Sequence, residues 1–228
     1  MPMSADGPVY PADPPPVPAS PLALIDLLGV EATRPGPALL VIGCGNPLRG
    51  DDAVGPAIVR HLWDRGVADA GPPVRWKEAA DAGPGVGGLV ELADGGTSGM
   101  DVAFRLRGAG RVILVDAART GLRPGTVVRV SGAGVAEFPP MGGLASHEFR
   151  WNHALAFGRW LLGDQMPGDI DVVLIEGESF EFGAPLSEPA RTALAQVISL
   201  IEAEIDAVAG VREEAAVDSE GPDSADAG

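Results

Sequence analysis

Apolar residues along this chain follow two rhythms. Ala38-Leu39-Leu40-Val41-Ile42 is a short unbroken apolar run, which suits a strand covered on both faces. Behind it Val54, Ala57, Ile58, His61 and Leu62 recur at helical spacing and predict a helix over residues 52–64. Leu89-Val90-Glu91-Leu92-Ala93 reads as a second strand and Met100 to Arg107 as a short helix. Arg111-Val112-Ile113-Leu114-Val115 is a third strand, rich in β-branched residues, and Thr126 to Val130 a fourth. Ser146 to Leu162 predicts a helix with Phe149, His153, Ala156, Phe157 and Trp160 on one face. Val172-Val173-Leu174-Ile175 is a fifth strand, and Ser187 to Val208 a closing helix with Leu194, Val197, Ile198, Ile201 and Ile205 as its stripe. Alternating strands and helices predict an α/β fold: a three-layer sandwich around a central, mainly parallel five-stranded sheet. Val74 to Ala79 offers a further short strand, and Gly83 to Gly88 a loop.

The ends follow neither rhythm. Residues 1–21 hold 8 of the 22 prolines, so residues 1–37 are expected to be a disordered extension in which Leu22 to Leu28 can form one short helix. Residues 211–228 carry six acids and one Arg without hydrophobic periodicity and are expected to be a solvated acidic tail. The folded domain then spans residues 38–210, and it carries about half of the formal net charge of −16. That charge excludes a generic nucleic-acid binder, which needs a basic face. One cysteine excludes an intramolecular disulfide and a cysteine-based zinc site. No apolar run reaches the ~18–20 residues of a membrane span, and the first basic residue is Arg34, so a cytoplasmic protein is expected.

In an open α/β sheet the working loops lie at the carboxyl ends of the strands. After the first strand comes Gly43-Cys44-Gly45-Asn46-Pro47-Leu48-Arg49-Gly50-Asp51-Asp52. It begins like a dinucleotide-binding loop, but Leu48 stands where the third glycine belongs, and no Gly-Lys-Ser/Thr follows. Paired acids there would repel a pyrophosphate. Asp51 is read as a cap of the following helix, which leaves Asp52 aimed at something positive. After the second strand, Asp94-Gly95-Gly96-Thr97 is either a turn held by Asp94 or part of a site. Asp116 directly follows the aliphatics of the third strand, and its position favours a site residue. Ser146 is an N-cap candidate that puts His147 in a first helical turn, where the neutral imidazole is favoured. His61 is read as packed in the core, and His153 lies about 240° from His147 around a helix. Asp52, Asp116 and His147 offer two oxygen ligands and one nitrogen ligand, a set suited to a borderline divalent ion such as Ni or Zn.

Taken in order, Gly43-x-Gly45-Asn46-Pro47-Leu48-Arg49-Gly50-Asp51-Asp52-x-x-Gly55, Asp94-Gly95-Gly96-Thr97, Val115-Asp116-Ala117 and Ser146-His147 resemble the [NiFe]-hydrogenase maturation endopeptidases, over residues 38–205. The resemblance implies one α/β domain and the removal of a C-terminal peptide from the nickel-loaded hydrogenase large-subunit precursor. It makes Asp52, Asp116 and His147 the metal-contacting positions and gives Asp94 a candidate catalytic part beside Asp52. No permanently bound cofactor is expected: the ion is the substrate's nickel, for which other divalent ions can substitute. The expected partner is the precursor, with no nucleic acid and no membrane, and the expected state is a monomer. Position 52 is Asp where some members carry Glu, which brings the ion closer to the backbone. Two other readings stay open: a cysteine hydrolase using Cys44 with His147, and a non-enzymatic nickel-binding chaperone that uses the same trio and releases no peptide.

Overall fold

The structure, a computed structural model, describes residues 36–66, 89–132 and 151–219. Its elements in chain order are β1 (Leu39–Cys44), a 3-10 turn (Gly50–Ala53), α1 (Val54–Asp64), β2 (Val90–Gly96), α2 (Gly99–Arg105), β3 (Arg111–Ala118), β4 (Val127–Ser131), α3 (Trp151–Leu162), a 3-10 turn (Gly163–Gln165), β5 (Asp169–Glu176) and α4 (Glu188–Ser219). The expectations for residues 1–35, for a strand at Val74 to Ala79, for the loop at Gly83 to Gly88, for Ser146 with His147 and for the tail from residue 220 lie outside the described residues.

The five strands form one sheet in the order β2-β1-β3-β5-β4. β1 pairs in parallel with β2 and β3, and β3 with β5; only β4 runs antiparallel, against β5. The segment joining β3 to β4 holds no helix. It is shorter than the dozen or so residues that a parallel crossover needs, so β4 returns the other way along the sheet edge.

Strand alternation divides the core into two halves. Leu39, Val41, Ile113, Val115, Val173 and Ile175 face Ile58 and Leu62 of α1 and Val197, Ile201 and Ile205 of α4. The alternate residues Leu40, Ile42, Val112, Leu114 and Val172 are equally buried on the other face, that of Val102 in α2 and Leu155 in α3. This is the three-layer α/β sandwich that the pattern predicts. Parallel strands covered on both faces have no solvent side, so they show continuous apolar runs.

Three details depart from the expectations. His61 is exposed rather than core-packed. The buried line of α1 runs through Val54, Ile58, Val59 and Leu62, and His61 sits at its margin. α4 continues to Ser219, past the last residue of the apolar stripe. Beyond Val208 the chain keeps strong helix formers such as Glu213, Glu214, Ala215 and Ala216, whose propensity favours continuing the helix. The helix predicted from residue 52 opens with the 3-10 turn, and the α-helix proper begins at Val54.

One joint in the fold is made directly between backbones. A Cβ at Gly43 would stand 2.2 Å from the carbonyl oxygen of Gly55, and one at Gly55 would stand 2.2 Å from that of Cys44 and 2.7 Å from that of Val115. The first turn of α1 therefore rests directly on the backbone of β1 and β3. The close helix–strand packing that a third motif glycine supplies in a dinucleotide fold is supplied here by Gly55. At the opposite, amino-terminal edge of the sheet, Arg111 and Arg129 share Asp171 and Glu204 at 2.5–3.0 Å, which ties β3, β4, β5 and α4 together.

Gly43→Ala should cost more than about 2 kcal/mol in chemical denaturation, since the added carbon meets main chain that cannot swing aside. Gly168→Ala, at an open position where a Cβ meets nothing within 4 Å, should stay within about 0.5 kcal/mol of the parent.

Candidate active site

The chain leaves β1 toward β2 on one side and returns past β1 to form β3 on the other. This reversal makes the carboxyl ends of β1 and β3 a topological switch point, the place where an open α/β sheet leaves a crevice. A cleft of about 140 Å³ lies there, walled by Cys44, Gly45, Asp52, Gly95 to Gly99, Val102 and Asp116.

Asp52 arrives on the turn between β1 and α1. Gly45 has φ +125°, and a Cβ there would lie 1.9 Å from the carbonyl oxygen of Asp52, so only glycine lets the turn fold back over the strand end. Its N–H donates to Gly96 O at 2.8 Å and ties the turn to β2. The turn also closes on itself. Asn46 N–H donates to Asp52 Oδ2 (3.0 Å), Leu48 N–H to Asn46 Oδ1 (3.0 Å) and Asp52 N–H to Arg49 O (3.0 Å). One carboxylate oxygen of Asp52 is thus fixed, and among the described residues Oδ1 accepts no hydrogen bond.

Asp116 stands across Gly45 from that turn. It is buried at the end of β3, on the same sheet face as Cys44, and its Oδ1 accepts from Ala117 N–H at 2.8 Å. Asp94 has a different setting. In register it lies beside Gly43, which puts it on the α1 face after Val90 and Leu92, and it is not part of the cleft wall. Its Oδ1 accepts from Gly96 N–H at 2.8 Å and so shapes the glycine strand end that does line the cleft. Asp52 and Asp116 therefore meet at one opening, Asp94 braces its wall from the other side of the sheet, and His147 lies outside the described residues. Among the described residues no three His, Cys, Asp or Glu side chains are grouped so as to hold a metal ion.

Cys44 is a poor nucleophile in this position. Burial pushes its thiol well above the ordinary 9.0, and the charges of Asp116 and Asp94 push the same way. A thiol held protonated cannot supply the thiolate that a cysteine hydrolase needs.

Two buried carboxylates do structural work around the cleft. Asp51, at 0% exposure, does not cap the adjacent helix, which corrects the expectation from sequence; neither turn of that helix start has a side-chain cap. It accepts from Glu178 N–H (2.7 Å), Ser179 N–H (3.2 Å), Ser187 N–H (2.7 Å) and Ser187 Oγ–H (2.8 Å). Burial alone would raise its pKa, but these four bonds outweigh it and hold the group below its ordinary 3.8. Ser187 Oγ in turn accepts from Ala190 N–H at 3.3 Å, at the start of α4. Glu176 ends β5 in the same manner. It accepts from Thr120 N–H, Thr120 Oγ1–H and Gly121 N–H at 2.7–3.0 Å and is held below 4.5 despite burial. Glu176 carries no local signal in the sequence, and the partners of Asp51 lie more than 120 residues away in the chain.

The hydrogenase maturation protease family model matches residues 79–204, more than half of the chain. The chain belongs to the hydrogenase maturation protease family. The matched span holds Asp94, Asp116 and His147. Relatives outside that comparison extend the similarity. The hydrogenase expression/formation protein HupD of Thiocapsa roseopersicina is 29% identical over 189 residues, 82% of this chain and 77% of its own. HoxM of Azotobacter vinelandii is 28% identical over 159 residues, 69% of this chain and 67% of its own. The hydrogenase maturating endopeptidase HybD of E. coli shares the fold, with a TM-score of 0.54 and 22% identity over 76% of this chain and 93% of its own. As a maturation protease the chain is a peptidase, and the cleft at the β1/β3 switch point is its candidate active site. Among the described residues no helix is long and apolar enough to cross a membrane.

The folded pKa values of Asp51 and Glu176 lie below the unfolded ones. Their contribution to stability is therefore complete above the ordinary values and is lost as the pH falls below about 4 through the folded values. Asp51→Ala should cost about 3 kcal/mol or more at pH 7, because it strands buried N–H donors. The gap between wild type and variant, read as denaturation midpoints, should narrow as the buffer is taken from pH 5 to pH 3.

Proposed function

We propose that this protease removes the C-terminal extension of a [NiFe]-hydrogenase large-subunit precursor, and that it recognises the precursor through nickel already bound there. What supports the reading most is the pairing of Asp52 and Asp116 across one cleft, in a chain of this family, with Asp52 Oδ1 accepting no hydrogen bond among the described residues. Two carboxylates, with His147 as the nitrogen donor expected from the sequence, suit a borderline divalent ion and leave positions for ligands of the substrate. The ion is cargo of the substrate, and the protease has no resident cofactor in this reading. Nickel then acts as the recognition element, since a nickel-free precursor gives the acids nothing to grip.

Peptide hydrolysis at the cleft requires a water to lose a proton as its oxygen attacks the scissile carbonyl carbon, and the leaving amine to gain a proton as the C–N bond breaks. A cleft carboxylate oxygen left free by the ion takes the proton from the water and passes it to the leaving amine, and the substrate's ion polarises the carbonyl. Asp94 acts one step behind, by holding the Gly95–Gly96 wall in place through the Gly96 amide. The enzyme works in the cytoplasm as a monomer. A nickel chaperone that releases no peptide is the competing use of the same acids, and the products separate the two.

Purified precursor, with and without nickel, should be incubated with the protease and read by intact mass. The nickel-loaded form alone should lose its C-terminal peptide. Asp52→Asn, Asp116→Asn and His147→Ala should each reduce cutting by at least about a hundredfold while circular dichroism stays unchanged. Cys44→Ser should retain activity. Equal cutting of nickel-free precursor would defeat the nickel reading, and binding without any released peptide would favour the chaperone.

A further inference from the structure

One half-buried residue, Asn46, organises the turn that brings Asp52 to the cleft. Its carbonyl accepts from Arg49 N–H (3.1 Å) and closes a β-turn with Pro47 at the second position. Its Oδ1 accepts from Leu48 N–H (3.0 Å), the next amide along the chain, because Pro47 has none. Its own N–H donates to Asp52 Oδ2 (3.0 Å). Arg49 O, at the far end of the β-turn, accepts from Asp52 N–H (3.0 Å). The two ends of one β-turn therefore hold Asp52 at its main chain and at its carboxylate.

Asparagine before proline at the head of a β-turn is ordinary, and the bond to Leu48 alone would speak only for turn formation. The direction of the Asn46 N–H goes beyond that. The β-turn asks nothing of this group, yet it is spent on an acid of the cleft. Gly45 divides the two consecutive amides: with φ +125° its own N–H goes to Gly96 O, and the following one goes to Asp52. The result for Asp52 is chemical. An unconstrained carboxylate has two equivalent oxygens to offer a cation. In Asp52 one of them is occupied by an amide, and Oδ1 is the one that accepts no hydrogen bond among the described residues.

We propose that Asn46 is a positioning residue for the processing reaction: it holds Asp52 so that Oδ1 alone is offered to the substrate's ion. The proposal rests on the nickel reading above for the identity of that ion. Asn46 touches neither ion nor substrate in this role and acts through Asp52. What its side chain contributes is an acceptor. A donor faces Oδ1, so that atom is the oxygen, and Nδ2 makes no hydrogen bond among the described residues. Aspartate puts the same acceptor in the same place, and alanine has none.

The test measures how tightly the full-length protease binds nickel-loaded and nickel-free precursor, and reads the ratio of the two affinities. Asn46→Ala releases Leu48 N–H and with it the orientation of Asp52, so the preference for loaded precursor should fall at least about tenfold. Affinity for nickel-free precursor should stay unchanged. Asn46→Asp should restore the preference to within about threefold of the parent. Leu48→Ala, which removes an exposed side chain of the same turn and keeps its N–H, should match the parent. A residue that only stabilised the fold would lower both affinities together and leave the ratio unmoved. Asn46→Ala with the parent's preference, or Asn46→Asp as impaired as Asn46→Ala, would overturn the positioning role. Parent crystals soaked in a nickel salt give a second readout that needs no variant. Asp52 Oδ1 should lie within about 2.5 Å of the ion with Oδ2 still on Asn46 N–H. Both oxygens on the ion, or an ion that leaves Oδ1 untouched, would overturn the proposal. Parent protease without any preference for loaded precursor would defeat the nickel reading, and the crystals would then decide the role of Asn46. Parent protease that prefers loaded precursor but releases no peptide would defeat the processing function, and the ratio would still decide the role of Asn46.

Discussion

The contact on which this structure depends is the one where the first turn of α1 meets the backbone of β1 and β3. Gly43 and Gly55 have no Cβ, and none would fit. Their absence lets helix and sheet close to main-chain contact, and that closure decides where the β1–α1 turn must go. With the helix pressed against the strand ends, the turn cannot stretch outward. It folds back over Gly45, fastens to β2 through Gly96, and sets Asp52 across from Asp116. A glycine loop that in other α/β proteins leaves room for a phosphate is here filled by its own acid-bearing turn. The chemistry of the site thus follows from packing.

Buried charge holds the surroundings of the cleft in the same way. Asp51 and Glu176 are ionised inside the protein because backbone N–H groups converge on them, and each ties a loop following one strand to another part of the carboxyl edge. Such groups are costly if any partner is lost, so loops fixed by them behave as extensions of the sheet. The adjacent acids Asp51 and Asp52 consequently have opposite tasks. The first is used up by four donors, and the second keeps an oxygen for the cleft. An interior brace and a working group sit side by side in the chain because the 3-10 turn Gly50–Ala53 points them in different directions.

Much of this was legible in the sequence wherever a local rule applies. The apolar run at Leu39 to Ile42 and the β-branched run at Val112 to Val115 announced doubly covered strands. The helix stripes of α1 and α4 announced the layer on one face. The place of Asp116 at the carboxyl end of a buried strand was legible from the apolar run before it. What stayed hidden depended on distant partners. The role of Asp51 is set by Glu178, Ser179 and Ser187, and no spacing in the chain points to them. Asp94 shows the limit of a motif: its turn was readable, but its side of the sheet follows from the register with Gly43. His61 looked apolar-facing by period alone and proved to sit at the margin of the stripe. The end of α4 lies past its apolar stripe, where helix propensity rather than hydrophobic period marks the chain.

Nickel-edge anomalous diffraction from crystals soaked in a nickel salt tests the central claim most directly, that backbone packing brings Asp52 and Asp116 to one ion. The account predicts a single strong peak in the cleft, within about 2.5 Å of a carboxylate oxygen from each residue. A peak touching one of the two acids without the other, or nickel bound only elsewhere on the protein, would contradict it.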